Sequence, residues 1–402
     1  MIRTSSHSLK WSSKIKESNI DSLFEEYQRV VQFYIDKLWS YEFVSGSFVD
    51  KTILNGVETW LSARLKQCAG KQAIQIVKST QKKNRDLIFK QYKRIFAKAK
   101  ARNKNWEILK SRYSTWIKGR IYKKVNKPIF SGDSIELDQR FISIEDGNNS
   151  FDLWIKLSSI GNKLVFYIPT RKHKHFNELQ SKNYHLKKSC RLRRYKKVYF
   201  IDLFHEKEAE EIKVDGKEIG IDIGINKLIA TSDNQILGSD LKPIINKLNT
   251  RKRGSRNYEQ TCREIRNYIN KEINKIEWNN YNLCVTEDVT NIVENTIKNK
   301  NKETKNLLSH WNQRFLLDRI KLRCEDNRVL FASVNPAYTS QTCSVCNHID
   351  ANSRKGEIFK CTKCNSVLDA DYNASINILN RSSNRKLIVS CETKTNFHVN
   401  SC

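Results

Sequence analysis

Four cysteines near the carboxyl-terminal end of the chain have the spacing of metal ligands. Cys343 and Cys346 form one C-x2-C pair, and Cys361 and Cys364 form a second pair after fourteen intervening residues. Paired thiolates at this spacing are typical of a tetrahedral metal site, most often zinc. When sulfur closes all four positions the metal is structural, so the quartet predicts a clip that positions another group. A pair of disulfides is the alternative.

Acidic residues that could do hydrolytic chemistry occur in three separate segments. The sequence GIDIG places Asp222 at the end of a predicted strand, and VTED places Glu287 and Asp288 at the end of another. Asp369 and Asp371 follow the last cysteine of the quartet. Adjacent strand residues face opposite sides, so one of Glu287 and Asp288 would face a site; Asp369 could cap a helix while Asp371 points inward. The spacing leaves both choices open.

The three acidic segments together suit the hydrolysis of a phosphodiester. That reaction commonly uses two divalent metals about 3.5–4 Å apart, one activating water and one stabilising the leaving oxygen. Converging carboxylates are the ligands that Mg²⁺ or Mn²⁺ prefers. The glycines beside Asp222 would let a ligand approach the backbone. A strand-end aspartate by itself is also typical of a turn or a helix cap.

Mixed α/β structure is predicted around these acids. Short apolar runs predict four strands, and isoleucines at helical spacing predict a helix near residues 265–276, with another near residues 307–324. The predicted strands are residues 218–222, 227–231, 283–287 and 329–334.

The first half of the chain is basic. Residues 20–125 have helical periodicity, and residues 128–205 alternate as strands do, for example at Leu153, Ile155 and Leu157. Cations interleaved with aromatic rings favour nucleic-acid binding, although a solvated helix face or a charged strand face would give the same pattern. The candidate nucleic-acid-binding residues are Lys90, Lys93, Arg94, Arg112, Trp116, Lys118, Arg120, Lys187, Arg191, Arg193 and Arg194.

Composition limits the class of partner. Against 43 Asp and Glu the chain has 73 Lys and Arg, a net charge of +30, which favours a polyanion. The chain has no run of 18 apolar residues and no secretory signal, so nucleic acid is favoured over a membrane surface. Seven of the 11 cysteines lie outside the quartet without paired spacing. Free thiols in a reducing cytosol or nucleoid fit this pattern better than disulfides.

Several motifs carry a family resemblance. The segments GIDIGINK and VTEDVTNI, then NPAYTSQTCSVC, FKCTKC and DADYNASINI, resemble in order and spacing the RuvC-like nuclease domain of TnpB proteins, over residues 217–380. These are RNA-guided nucleases of insertion sequences, and miniature type V CRISPR effectors are similar. The resemblance implies that Asp222, Glu287 and Asp371 are the catalytic acids and bind magnesium. It also implies that the four cysteines hold zinc and that Arg354 faces the cleaved strand.

The resemblance implies a multidomain α+β fold. An N-terminal wedge-like β-barrel with a helical insertion would precede a RuvC/RNase H-like α/β nuclease domain with an inserted zinc ribbon. Asn347 and Asn365 depart from the family pattern, because glycine often follows the second cysteine of each pair. The expected domains are residues 1–19 with 126–212 for the wedge-like module, 20–125 for the helical domain, 213–336 with 366–380 for the nuclease, 337–365 for the ribbon and 381–402 for a flexible tail.

The expected function is an RNA-guided DNA endonuclease with structural Zn²⁺ and two catalytic Mg²⁺ or Mn²⁺ ions. Its partners would be a guide RNA and a double-stranded DNA target, with the protein acting as a monomer or homodimer. A guided DNA-binding regulator without cleavage is one alternative. A transposase or resolvase that uses the same nuclease fold without guide RNA is another, and a zinc-ribbon DNA-binding protein without catalysis is a third.

Overall fold

The computed structural model describes residues 1–41, 44, 46–101, 126–147, 150–195, 198–288 and 313–383, with the backbone alone for residues 90–101. The chain divides into two compact units, Met1–Glu208 and Ala209–Cys402. The finer division into five domains stays a prediction.

Four helices of the first unit are described. They are α1 (Lys14–Trp39), α2 (Lys51–Asn55), α3 (Ala63–Ala101) and α4 (Lys174–Ser181). Helix α1 buries a stripe that includes Leu23, Tyr27 and Val31, and it packs along α3. It begins at Lys14, six residues before the start expected from its periodicity, because the exposed residues of its first turn lie outside the apolar stripe.

The strands of the first unit form two antiparallel sheets. One has the order β1-β7-β6-β2 and the other the order β3-β4-β5, with Leu153, Ile155 and Leu157 buried as their alternation predicts. Neither sheet closes on itself in the described part of the chain, so the predicted β-barrel is not confirmed. The strands are β1 (Ile2–Ser8), β2 (Ser134–Leu137), β3 (Ile142–Asp146), β4 (Leu153–Leu157), β5 (Phe166–Thr170), β6 (His185–Tyr195) and β7 (Val198–Glu206).

The second unit is built on a five-stranded mixed sheet of order β10-β9-β8-β11-β12. Strand β8 runs antiparallel to β9 and parallel to β11, and β12 is parallel to β11. All four predicted strands are present. The bounds are β8 (Lys217–Ile223), β9 (Ile229–Thr231), β10 (Ile236–Leu237), β11 (Tyr281–Glu287) and β12 (Leu330–Val334).

Helices complete the second unit. Three of them are α5 (Leu241–Asn249), α6 (Arg256–Ile273) and α7 (Gln313–Asp326), whose apolar faces join the buried residues of β8 and β11 in one core. A small antiparallel sheet of β13 (Arg354–Lys355), β14 (Ile358–Lys360) and β15 (Val367–Asp369) leads directly into α8 (Ala370–Ser383), which packs on β8. No described helix is long and apolar enough to cross a membrane.

Candidate functional site

The ends of two neighbouring strands place two of the three acids. Strands β8 and β11 are parallel, and their register pairs Ile221 with Thr286, so the following residues Asp222 and Glu287 lie at the same edge of the sheet. Asp371 lies in the first turn of α8, which packs on β8. Three segments distant in sequence therefore meet at one edge.

The electrostatics of Asp222 show that the acids are close. Protein atoms crowd its carboxyl group, and this burial, together with the negative charges of Glu287 and Asp371, raises the pKa of Asp222 to about 7. The charge of Arg354 opposes the rise only in part. Burial also raises the pKa of Glu287, against the effects of Thr339, Arg381 and Arg354. The site thus has more negative charge than its cations neutralise, which is the environment a divalent cation would stabilise.

The structure separates the roles of Asp369 and Asp371. An Asp369 carboxylate oxygen accepts the backbone N–H groups of Asp371 and Tyr372, each at 3.1 Å, so Asp369 caps α8. It also pairs with Lys227. Asp371 instead accepts a hydrogen bond of 2.8 Å from Nη2 of Arg354 and faces the other acids.

Glu287 rather than Asp288 faces the site. The Thr339 hydroxyl donates to the Glu287 carboxylate, which orients it. The backbone N–H of Asp288 donates to Val334, so that residue continues the pairing with β12.

Two cations flank Asp371. Nε of Arg354 donates to the Gly356 carbonyl at 3.2 Å while its Nη2 reaches Asp371, so the ribbon turn holds the guanidinium in place. Lys227 lies 3.9 Å from Asp371 and 3.7 Å from Glu357 in addition to its contact with Asp369. Partial burial lowers the pKa of Lys227, but these carboxylates outweigh it and leave the pKa raised.

Three residues of the site were not singled out from the sequence: Lys227, Thr339 and Arg381. Lys227 belongs to the segment GIDIGINK and Thr339 to NPAYTSQTCSVC, so the motifs contained them without revealing their contacts. Arg381 lies three residues beyond the end of the last motif, and no sequence signal marked it.

The four cysteines converge as a tetrahedral site requires. Sγ of Cys343 lies 3.7 Å from Sγ of Cys364, and Sγ of Cys346 lies 3.6 Å from Sγ of Cys361. Zn–S bonds of about 2.3 Å in a tetrahedron separate the sulfurs by about 3.8 Å, so a zinc ion fits. No disulfide joins the four cysteines in the structure, and the convergence of all four sulfurs favours a metal site over the disulfide alternative.

Each cysteine pair lies in a turn of the same construction. The N–H of Asn347 donates to the Cys343 carbonyl at 2.9 Å, and the N–H of Asn365 donates to the Cys361 carbonyl at 3.1 Å. Both asparagines have left-handed backbones, with φ of 58° and 59°. Asparagine tolerates this conformation better than most residues do, so it replaces the usual glycine without loss of the turn.

Helix α8 links the cysteine quartet to the acids. Nδ2 of Asn373 donates to the Thr342 carbonyl at 2.8 Å, and Nδ2 of Asn377 donates to the Thr339 carbonyl at 3.0 Å. These bonds fix the loop that carries both the first cysteine pair and the Thr339 hydroxyl. The asparagines of the segment DADYNASINI are thus structural links.

Gly220 makes room for helix α8 and not for a ligand. A Cβ at this position would collide with the Ser375 carbonyl and lie 2.9 Å from the backbone nitrogen of Leu379. The expectation that this glycine opens the backbone to a ligand is therefore wrong: it admits α8 and so brings Asp371 toward Asp222.

The predicted basic strand has its cations paired with acids. Among the candidate nucleic-acid-binding residues, Arg191, Arg193, Arg194 and Lys187 lie on β6. Their partners are Glu136 at 2.9 Å, Asp202 with its shortest contact at 2.5 Å, Asp21 at 3.5 Å and Glu206 at 2.6 Å, respectively. The side chains of Lys90, Lys93 and Arg94, and the whole of Arg112, Trp116, Lys118 and Arg120, lie outside the described residues.

Parts of the chain are similar to known proteins. Residues 314–378 match the model of the Cas12f1-like TNB domain. The chain is 40% identical over 72 residues to the CRISPR-associated endodeoxyribonuclease Cas12f1 of Sulfoacidibacillus thermotolerans, and 32% identical over 125 residues to a TnpB-like protein of Methanocaldococcus jannaschii. The predicted resemblance is confirmed.

The matched regions are partial. They cover 18% of this chain and 17% of the Cas12f1 protein, and 30% of this chain and 44% of the TnpB-like protein. The structure of the mini-RNA-guided endonuclease CRISPR-Cas phi3 is similar over 94% of this chain and 92% of that chain, with a TM-score of 0.50 and 10% identity. At that identity the similarity concerns the fold, which is mixed α/β.

Proposed function

We propose that this protein is an RNA-guided DNA endonuclease that hydrolyses phosphodiester bonds at the site formed by Asp222, Glu287 and Asp371. The observation that carries the proposal is the meeting of these acids from β8, β11 and α8, with the pKa of Asp222 raised to about 7 by burial and by the other two charges. Such an excess of negative charge on half-buried carboxylates is stable as a cation site.

The similar proteins support the same reaction class. The Cas12f1 relative is named an endodeoxyribonuclease, and the structure with the similar fold is named an RNA-guided endonuclease. The sheet supports a RuvC-like fold, because an antiparallel β8-β9-β10 meander is followed by parallel strands β11 and β12.

The residues of the site would have different roles. Asp222, Glu287 and Asp371 would hold two Mg²⁺ or Mn²⁺ ions, and these would supply water activation and stabilisation of the leaving oxygen. Thr339 orients Glu287, and Lys227 holds Asp369 at the start of α8. Arg354 would exchange its contact with Asp371 for a phosphate of the cleaved strand when that carboxylate binds metal.

The cysteine quartet would hold zinc as a structural element. Besides the fit of the sulfur distances, the Ser366 hydroxyl and backbone lower the pKa of the Cys364 thiol to about 6, which favours the thiolate that a metal binds. The His348 backbone lowers the pKa of Cys346, but hydrogen bonds with the other three sulfurs outweigh this effect and leave that pKa raised, so a bound metal would be needed to deprotonate the thiol. The first unit would act as the wedge-like and helical part that holds the guide RNA and the RNA–DNA heteroduplex.

Substitution of each acid tests the site. The full chain, purified with its RNA, should lose magnesium-dependent cleavage by a factor of about 10³ or more in Asp222→Ala, Glu287→Ala and Asp371→Ala, while DNA binding is retained. Glu218→Ala is the matched control, because Glu218 is exposed on the same strand as Asp222 and should cut normally. Cleavage by Asp371→Ala at the parent rate would contradict the assignment.

Sequencing the RNA that copurifies with the protein tests guidance. One noncoding species with a variable end is expected, and replacing that end should redirect cleavage to the matching DNA. Cleavage that is unchanged after removal of all RNA would instead favour a resolvase-type nuclease.

A further inference from the structure

An exposed aromatic surface lies in the first unit, away from any sequence motif. Trp11 follows β1, and its ring contacts Phe151 edge to face at 5.7 Å; Phe151 contacts Trp154 in the same way at 5.8 Å. Trp11 remains 43% exposed, as does Tyr167 on β5. Rings of this size are usually buried when their role is to stabilise a core. We call these four residues the Trp11 patch.

Cations lie directly on the Trp11 patch. Nζ of Lys10 is 4.6 Å and the guanidinium carbon of Arg171 is 5.5 Å from the Trp11 ring centroid. Nζ of Lys156 lies 5.5 Å from the Tyr167 ring, and Nζ of Lys16 donates to the Tyr167 carbonyl at 2.6 Å.

These cations have no carboxylate partner within the described residues. The side chains of Lys10, Lys16, Lys156 and Arg171 contact rings and a carbonyl oxygen. The nearby acids Asp146 and Asp152 bind Lys172, at 2.8 Å through its Nζ and 2.9 Å through its backbone N–H. Glu145 of β3 lies opposite Trp154 in the sheet register and is the acid that shares this face.

Strand β6 provides the contrast within the same unit. Its arginines also lie over rings, for example Arg191 at 5.7 Å from Phe204, but each candidate arginine is paired with an acid. The cations on the Trp11 patch keep their charge available for phosphate, and the exposed rings beside them offer faces for bases.

We infer that the Trp11 patch binds unpaired nucleotides of single-stranded nucleic acid, with bases stacked on Trp11 and Tyr167 and phosphates bound by Lys10, Lys16, Lys156 and Arg171. Stacking on exposed rings beside cations is how proteins hold single strands without reading their sequence. A guide RNA and a displaced DNA strand share this chemistry. The inference needs no nuclease activity, so it stands or fails separately from the acidic site.

Binding of short fluorescent oligonucleotides tests the inference. The full chain carrying Asp222→Ala, freed of RNA, is titrated with single-stranded RNA, single-stranded DNA and a blunt duplex at low and high salt. Trp11→Ala should weaken single-strand binding about fivefold or more at both salt concentrations, because stacking is not screened. Trp11→Phe should retain most of the affinity, and the duplex should be affected least.

A matched pair of charge substitutions separates a specific surface from net charge. Arg171→Gln should weaken binding. It should also reduce the slope of log affinity against log salt concentration by about one, the change expected for the loss of one phosphate contact. Arg29→Gln removes the same charge from an ion pair, with Glu26 at 2.7 Å, and should bind like the parent. The inference is overturned if the folded Trp11→Ala variant binds like the parent, or if Arg29→Gln loses as much affinity as Arg171→Gln. The RNA and DNA titrations identify which strand binds more tightly.

Discussion

The cysteine quartet and the three acids are joined by one helix, yet they are assembled in different ways. The four sulfur atoms of the quartet all lie within 4.8 Å of one another. Among the described residues, no other group of three or more His, Cys, Asp or Glu side chains is assembled this closely. Each half of it comes from a short turn. The acids Asp222, Glu287 and Asp371 come from three separate elements, and their charges oppose one another.

The two sites therefore depend on the fold in different ways. The quartet helps to form the fold, whereas the acids stay together only because the fold holds them. Backbone N–H groups of Lys363 and Cys364 point at Sγ of Cys361, both at 3.4 Å, and so support a thiolate locally. Among the acids, Asp222 has a local hydrogen bond from the backbone of Ile223, whereas Glu287 and Asp371 are held by Thr339 and Arg354 of other segments. Packing of α8 on Gly220 must therefore bring Asp371 near Asp222. Four substitutions, ranked by their effect on the free energy of unfolding, test this distinction.

The largest effect is expected from Cys361→Ser. It should abolish zinc binding and destabilise the second unit on the order of several kcal/mol, because metal binding at such a site contributes directly to folding. Cleavage should be lost as well, since the quartet fixes the loop that orients Glu287. Zinc content by elemental analysis and thermal unfolding measure the result.

Cys262→Ser is the control for that substitution, since Cys262 is half-buried on α6 and lies outside the quartet. It should keep its zinc and unfold near the parent temperature. An unchanged unfolding temperature for Cys361→Ser would show that the quartet does not stabilise the unit.

Gly220→Ala should destabilise the second unit by about 1–3 kcal/mol, because the added Cβ would overlap the backbone of α8. Displacement of α8 would also move Asp371, so cleavage should fall more than stability does. Gly46→Ala is the control, since a Cβ there would lie 3.5 Å from its nearest neighbour. Denaturant unfolding and cleavage rates at low temperature measure the two effects, and equal stabilities for both variants would refute the packing argument.

Asp222→Asn should stabilise the protein in magnesium-free buffer that retains zinc, by about 1–2 kcal/mol near pH 8. The folded pKa of Asp222 is about 7, above its ordinary value of 3.8, so the native state binds this proton more tightly than the unfolded state. The free energy of unfolding of the parent therefore falls as pH rises from about 4 to about 7. The uncharged amide introduced by Asp222→Asn does not titrate, so the variant does not show this fall.

The difference in free energy of unfolding between Asp222→Asn and the parent should disappear below pH 4. It should also become smaller when magnesium is added, because the metal would stabilise the parent alone. Glu218→Gln removes an exposed charge from the same strand and should show neither effect. Thermal unfolding across pH, with and without magnesium, measures both. A parent that gains stability between pH 4 and pH 7 relative to Asp222→Asn would contradict the raised pKa.

Arg354→Gln should change stability least, by less than about 0.5 kcal/mol, because its pair with Asp371 is partly exposed. Cleavage should fall about 10²-fold if the guanidinium contacts the reacting phosphate. Loss of this cation also raises the pKa values of Asp222 and Glu287 further, so the activity profile should move to higher pH. Lys355→Gln is the neighbouring control, and a parent-like rate for Arg354→Gln would remove this residue from the site.

Local patterns were reliable where one sequence segment decides the structure. The alternation at Leu153, Ile155 and Leu157 and the apolar run at residues 283–287 became β4 and β11 as expected. The start of α1 was missed, since its first turns carry few apolar residues. The predicted barrel is not confirmed for a different reason: closure depends on pairing between distant strands, which alternation does not specify.

The basic residues also show that a local pattern does not specify contacts between distant segments. The basic residues of β6 do form a charged strand, but the acids that pair with them lie on β2, β7 and α1. The cations of the Trp11 patch are scattered along the sequence and formed no run that could be noticed. A charge count therefore does not separate paired cations from unpaired ones, because pairing is decided by neighbours in space, and the nucleic-acid-binding role of the β6 residues stays a prediction.

The sequence by itself determined the cysteine quartet, the strands that end on Asp222 and Glu287, and the family resemblance, since each depends on residues within a few positions of one another. The tertiary structure decided that Asp369 caps α8 while Asp371 faces the acids, that Lys227 and Thr339 belong to the site, and that Gly220 admits a helix. These outcomes depend on which side chains meet after β8, β11 and α8 pack together, and packing between distant segments fixes both the distances and the pKa values of the half-buried acids.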